Sequence, residues 1–207
     1  AYLAVRLAER IFTNINEQVV LLIGAGATAH LMLKHLHSVG VKHFIIANRT
    51  LVNSKILAHT VAATARVDII ELGMVPDMLS HADIIVTTTA APLPIVGKGM
   101  VEKAIKARKF RSMFMIDLAV PRNIEIQVKQ IADVYLYGID DLQTIAKEHQ
   151  RSRSTAVPQA DLIIASEVKK FIAWLDCQDK IPTIQAFRQK CEAQRDLALK
   201  KALQQLE

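Results

Sequence analysis

The segment Gly24-Ala25-Gly26-Ala27-Thr28-Ala29, fed by the apolar run Val19-Val20-Leu21-Leu22-Ile23, has the residue types with which a main chain holds a pyrophosphate. Gly24 allows a tight turn leaving a strand, and Gly26 brings the backbone close to phosphate oxygens with no Cβ in the way. Ala29 is small enough for the following helix to lie close on the strand. That helix opens at Ala27 and Thr28 and offers free N–H groups and a positive dipole end. Downstream, Phe44-Ile45-Ile46-Ala47 reads as a second strand ending at Asn48-Arg49-Thr50, where such folds meet an adenosine ribose. Asn48 stands 24 positions after Gly24 (48 − 24). A carboxylate there would accept a hydrogen bond from a ribose 2′-hydroxyl and repel a 2′-phosphate. A guanidinium instead meets phosphate oxygens with parallel charge-assisted bonds, and Asn48 and Thr50 add neutral donors. The residues therefore point to NADPH rather than NADH. Arg49 equally fits a solvated loop, with Thr50 as N-cap of a helix from Leu51 onward; the two roles are compatible.

A second group of residues falls where strands of such a sheet would end. Thr87, Thr88 and Thr89 finish the β-branched run Asp83–Thr88, and their hydroxyls can face a nicotinamide ribose, although threonine is also an ordinary strand residue. Asp117 closes the run Met113–Leu118, and Leu118 and Ala119 can line the nicotinamide face. Asp117 is expected to partner Arg122 or loop amides rather than to catalyse. The cofactor set is thus Gly24, Ala25, Gly26, Ala27, Thr28, Ala29, Asn48, Arg49, Thr50, Thr88, Thr89 and Leu118, with no catalytic residue and no metal. His30, His35, His37 and His43 are close in sequence, but His35 and His37 are two apart on a helix and do not share a face.

These residues need a scaffold of alternating strands and helices. An opening helix over 1–16 carries Ala4, Leu7, Ala8 and Ile11; helices follow over 50–63, 76–80 and 100–107. Strands over 67–70, 83–88, 113–118 and 134–137 join the first two, each almost continuously apolar, as in a parallel sheet covered on both faces. The expected fold is α/β, a doubly wound Rossmann-type sheet in the order 3-2-1-4-5-6, followed by an extended α-helical segment. From Ile139 onward the pattern is helical only. Asp140 or Asp141 caps a first helix, Pro158 should kink or interrupt it, and Pro182 suits the start of another. The division is residues 1–138 for nucleotide binding and 139–207 for a helical region. The apolar stripes of that region (Leu162, Ile163, Val168, Phe171, Ile172, Leu175) require packing against another subunit or a further segment.

Composition agrees. The chain has 207 residues, 51% hydrophobic and 22% charged, with formal charge +6. No run approaches the ~18 apolar residues of a membrane span, no leader is visible, and the basic residues lack the interleaved aromatics of a base-stacking platform. Cys177 and Cys191 have no metal or disulfide spacing and fit a reducing, cytoplasmic compartment. Cys177 lies between acidic residues and Cys191 on an apolar stripe with Phe187, as a small buried hydrophobe would.

The runs Leu22–Gly26, Ile46–Thr50, Ile116-Asp117-Leu118-Ala119-Val120-Pro121-Arg122 and Val134–Leu142 together resemble the glutamyl-tRNA reductase family, and Phe171–Leu175 with Ile181–Ile184 resembles the start of its dimerisation region. The resemblance implies an oxidoreductase that uses NADPH to reduce glutamyl-tRNA to glutamate-1-semialdehyde, opening tetrapyrrole (porphyrin and heme) synthesis. It further implies a cysteine nucleophile in an N-terminal domain beyond this chain and a homodimer made by C-terminal helices that continue past residue 207. An aminomutase fits as the partner taking the aldehyde. On this reading the chain is a fragment, inactive alone. Two departures stand out: Ala27-Thr28-Ala29 replaces an acidic-then-small pattern, and Asn123 stands where aspartate is usual. A shikimate-dehydrogenase-like NADPH oxidoreductase domain and a non-catalytic nucleotide-binding module are the alternatives.

Overall fold

Strands form where β-branched and apolar residues run together. In the computed structural model, residues 1–178 and 181–204 are described, without the side chains of 149–157, 159, 176–178, 181 and 202–204. Six strands, β1 (Val19–Ile23), β2 (His43–Asn48), β3 (Arg66–Glu71), β4 (Ile84–Thr87), β5 (Met113–Asp117) and β6 (Val134–Gly138), pair in parallel in the order β3-β2-β1-β4-β5-β6. The expected order is therefore present. Between β1 and β4 the winding reverses, and a crevice opens beyond the carboxyl ends of those two strands.

Alternation along each strand makes two cores. Val20, Leu22, Phe44, Ile46, Phe114 and Ile116 bury on one face, under α1 (Tyr2–Ile11), α2 (Ala27–Ser38) and α3 (Leu51–His59). Leu21, Ile23, Ile45, Met113 and Met115 bury on the other, under α4 (Val75–Met78) and α5 (Lys98–Ala107). Full burial of such a side chain contributes roughly 1.5–3 kcal/mol, so both layers help to hold the sheet. At the amino edge, Asp83 accepts the Val19 N–H at 3.0 Å while the buried Arg108 pairs with Asp83 and donates to the carbonyls of Ser80, Ala82 and Ser112. A buried ion pair is tolerated when its remaining hydrogen-bonding capacity is met, as it is here.

The helical region consists of α6 (Ile139–Gln178) and α7 (Ile181–Gln204). The chain divides into two compact units, Ala1–Glu148 and His149–Glu207. The first turns of α6 belong to the sheet's unit because Leu142 and Ile145 pack on its first core. Pro158 does not interrupt α6 as its sequence position suggests; the helix continues through it. Proline removes one backbone donor, and in an exposed stretch water can satisfy the carbonyl so released. In the second unit Leu162, Ile163, Phe171, Trp174, Ile184 and Phe187 are all more than half exposed, so its apolar stripes are not covered from within the unit.

Of the two candidate caps for α6, Asp141 does the capping. Its carboxyl oxygen accepts the Gly138 N–H at 2.8 Å, reaching back from the first turn, and pairs with Lys129 Nζ at 2.8 Å. Partial burial pushes the Asp141 carboxyl up, but the Gly138 amide, the Lys129 ammonium and the nearby Arg122 charge outweigh this and hold it below its ordinary value. A lowered folded pKa means the stabilisation is complete above the ordinary carboxylate value of about 4 and is lost as pH falls through the folded value. Asp141→Ala should thus cost about 1 kcal/mol at neutral pH, the scale of a lost cap. Denaturant melts at stepped pH should show that difference shrinking under acid conditions; a gap that widens on acidification overturns the assignment.

Candidate functional site

At the carboxyl end of β1 the chain turns through Gly24 with φ +111°, and its N–H donates to Ala47 O at 2.8 Å across the sheet. A Cβ at Gly24 would stand 2.7 Å from Thr88 Oγ1 and 3.1 Å from Thr89 Cγ2. Glycine is therefore required twice, by the left-handed backbone and by the threonines of the neighbouring strand end. Gly26 differs. It is the N-cap of α2 at φ −85°, and a Cβ there would meet nothing within 4 Å. It would project into open space, the approach that a phosphate against the helix N-terminus needs.

A cleft of about 430 Å³ lies over this turn, lined by Gly24, Ala25, Gly26, Asn48, Arg49, Thr88 and Thr89, together with Asn53, Leu72, Ala90, Ala91 and Pro92. Seven of the twelve residues expected from the sequence thus meet in one crevice at the β1/β4 reversal. Arg49 is the single charged residue among those lining it, exposed and without a hydrogen bond or ion pair among the described residues. Asn48 Nδ2 donates to Thr50 O at 3.0 Å and fixes the turn that presents it. Thr50 holds the N-cap position of α3 without a side-chain cap bond.

The other five expected residues do not line the cleft. Ala27, Thr28 and Thr50 are exposed beside it, and Ala29 is fully buried between α2 and the sheet, a packing role. Leu118 packs on the first core, with its N–H donated to Thr87 O at 2.9 Å. The threonines also differ from expectation. Thr87 donates its hydroxyl proton to Asp117 at 2.8 Å, Thr88 to Ile23 O at 3.3 Å and Thr89 to Asn123 Oδ1 at 2.5 Å. All three protons are committed within the protein, so Thr88 and Thr89 shape the wall and retain only lone pairs for a ligand.

Asp117 is engaged by loop amides as expected, but not by Arg122. Its oxygens accept the N–H groups of Ala119, Asn123 and Ile124 at 3.1, 2.9 and 3.0 Å. Arg122 pairs instead with Asp140 at 3.1 Å, because β6 brings the start of α6 alongside it. These residues, with Ala119 to Pro121, line a second cavity of about 290 Å³ at the same edge. Among the described residues no group of three or more histidine, cysteine or acidic side chains could hold a metal; His43 pairs with Asp68 and His37 with Thr64. Cys191 is exposed rather than buried, because the apolar stripe of α7 is not covered within its unit. The Cys177 side chain lies outside the described residues.

Asn53, Leu72 and the stretch Ala90–Pro92 were not anticipated. Asn53 lies in the first turn of α3, a turn that local pattern reading could have inspected. Leu72 enters because β3 ends beside β2, a fact of topology.

A six-stranded doubly wound sheet with a glycine turn at its switch point and Arg49 lining the cleft there defines a nucleotide-binding Rossmann domain. Residues 6–145 match the family model described as shikimate / quinate 5-dehydrogenase, and residues 159–207 that of the glutamyl-tRNAGlu reductase dimerisation domain. A glutamyl-tRNA reductase from Pseudoalteromonas atlantica is 44% identical over 206 residues, covering 100% of this chain and 48% of that protein. Among solved structures, glutamyl-tRNA reductase from Methanopyrus kandleri superposes with TM-score 0.67 at 34% identity, over 76% of this chain and 39% of that one. The nucleotide-binding domain of the Thermoplasma volcanium protein of that name shares the fold, with TM-score 0.53 at 20% identity over 73% of this chain and 96% of that one. The chain belongs to the glutamyl-tRNA reductase family. It spans about half the length of the curated relatives it matches.

The two glycines should respond oppositely to alanine. Gly24→Ala forces a residue with a Cβ into a left-handed, crowded position and should cost about 1–3 kcal/mol of stability. Gly26→Ala should melt within about 0.5 kcal/mol of the unaltered chain yet lose nucleotide affinity. Melting curves paired with nucleotide titration read both, and equal destabilisation by the two changes contradicts the geometry.

Proposed function

We propose that the cleft binds NADPH and that this chain is the cofactor-holding part of an enzyme reducing glutamyl-tRNA to glutamate-1-semialdehyde in tetrapyrrole synthesis. The observation that carries the cofactor is Arg49, the one cation, with no carboxylate beside it, among the described residues that line the cleft. The open space at Gly26 supports the fit, since a pyrophosphate there can accept N–H groups from the first turn of α2 at Ala27 and Thr28. Asn48, Arg49 and Thr50 would hold a 2′-phosphate. Thr88, Thr89 and Leu118 border the side on which the nicotinamide would lie. The bound cofactor supplies hydride; the chain's own residues bind, orient and wall it off.

The exposed apolar stripes of α6 and α7, in the segment matching a dimerisation domain, support a homodimer. An aminomutase as receiver of the aldehyde and a cytoplasmic site of action are what the family resemblance implies. The likeness to shikimate / quinate dehydrogenases covers the domain type of residues 6–145; curated glutamyl-tRNA reductases cover the whole chain. That difference favours the reductase over both alternatives.

Replacing Arg49 with Ala removes charge-assisted bonds worth roughly 1.5–3 kcal/mol. NADPH affinity should fall about ten- to a hundredfold while NADH affinity barely changes. Fluorescence titration of both cofactors decides it; equal losses sink the phosphate-clamp assignment.

Reduction of an ester through a thioester needs an activated thiolate, and exposed Cys191 has no basic group hydrogen-bonded to it among the described residues. The 207-residue chain with NADPH should yield no semialdehyde from glutamyl-tRNA. Turnover by this chain, abolished in Cys191→Ser or Cys177→Ser, would show that it carries its own nucleophile.

A further inference from the structure

Bonding of this chain segment to the sheet ends with the Thr88 N–H on Ile23 O at 2.9 Å, so the cleft wall from Thr89 to Pro92 has no neighbouring strand to hold it. Its fastening comes from Asn123. This side chain is fully buried, and its Oδ1 accepts both the Thr89 N–H at 3.2 Å and the Thr89 hydroxyl at 2.5 Å. Its Nδ2 donates to Ala91 O at 3.4 Å, and its backbone carbonyl accepts Ile95 N–H at 2.8 Å. Thr89 Oγ1 in turn accepts the Ala91 N–H at 3.2 Å. Among the described residues, every hydrogen bond made by 89–95 runs to Asn123 or to Thr89 itself. Asn123 is held from below, its own N–H donated to Asp117 at 2.9 Å.

We propose that Asn123 is a positioning residue for the dinucleotide: it touches no ligand but fixes the Thr89–Pro92 wall at the distance from Gly24 and Arg49 that cofactor binding requires. The inference rests on the NADPH reading above. An amide suits the task because one oxygen takes two donors from Thr89 while the NH2 group reaches the Ala91 carbonyl. An aspartate keeps the acceptor for both Thr89 donors and loses the two longer bonds of the NH2 group, to Ala91 O at 3.4 Å and to Pro121 O at 3.5 Å. An alanine loses all of it and leaves the Thr89 N–H and hydroxyl without a partner in a part-buried place, where unmade bonds are costly.

The test uses the 207-residue chain and three variants, Asn123→Ala, Asn123→Asp and Thr89→Val. NADPH affinity is read by fluorescence titration and local opening by hydrogen exchange of the peptide covering 88–95. Asn123→Ala should bind NADPH about tenfold or more weakly, with faster exchange confined to 88–95. Asn123→Asp should recover most of the affinity. Thr89→Val should weaken binding in the same direction, and its combination with Asn123→Ala should lose less than the sum of the two. Unchanged affinity in Asn123→Ala, exchange that quickens equally through β1–β5, or failure of Asn123→Asp to recover binding overturns the proposal. Should Asn123→Ala not fold, unchanged affinity and exchange in Thr89→Val overturn it instead. Failure of the unaltered chain to bind NADPH is a separate result: it removes the cofactor reading and this inference with it.

Discussion

A carboxyl group taken out of water at the end of a strand must be given hydrogen-bond donors, or it destabilises the fold by several kcal/mol. Asp117, buried at the end of β5, receives four: the Thr87 hydroxyl and the amides of Ala119, Asn123 and Ile124. One side chain thereby ties the last residue of β4 to the loop that follows β5. The carboxyl edge of the sheet depends on this knot. Through Asn123 it reaches the cleft wall, and through Ala119 it shapes the second cavity. The buried Arg108–Asp83 pair does the corresponding work at the amino edge, so that the sheet is clamped at both ends of its central strands.

The backbone of this site was readable from the sequence because it rests on short-range chemistry. A glycine turn after an apolar strand, a cation at the end of the next strand and period-two burial all act within a few residues. The strand order follows as well, since two wound halves leave little freedom of topology. What the sequence hid was long-range. Asn53 and Leu72 enter the cleft by neighbouring strands ending together, and no local pattern marks Leu72. The commitment of the threonine hydroxyls to Ile23, Asp117 and Asn123 depends on residues 30 or more positions away. Of the two partners expected for Asp117, Arg122 or loop amides, the amides are the ones present, and the choice is again long-range: β6 delivers Asp140 to Arg122. Pro158 and Cys191 differ from expectation for another reason: on an exposed helix water can take the carbonyl that Pro158 leaves unpaired, and nothing within the unit covers Cys191.

The two units meet the stability problem in opposite ways. The sheet's unit buries both faces of its strands with its own helices. The helices of the second unit keep Phe171, Trp174 and Phe187 in water. Isolated helices draw most of their stability from packing of an apolar face rather than from propensity. A segment of this kind holds its shape when a complementary surface covers it, which is what a dimerisation domain offers.

The crowding around Gly24 also constrains how this chain can evolve. A larger residue at 24 collides with Thr88 Oγ1, which suggests that trimming Thr88 would make room. Trimming leaves the positive φ untouched, however, and the Thr88 hydroxyl it removes is one that caps the Ile23 carbonyl. The obstacle is therefore double, and neither half can be relieved by a change at the other position. No single-step path of compensating mutations leads away from glycine at 24, whereas the fold itself leaves 26 open and only the ligand that must approach there restricts it.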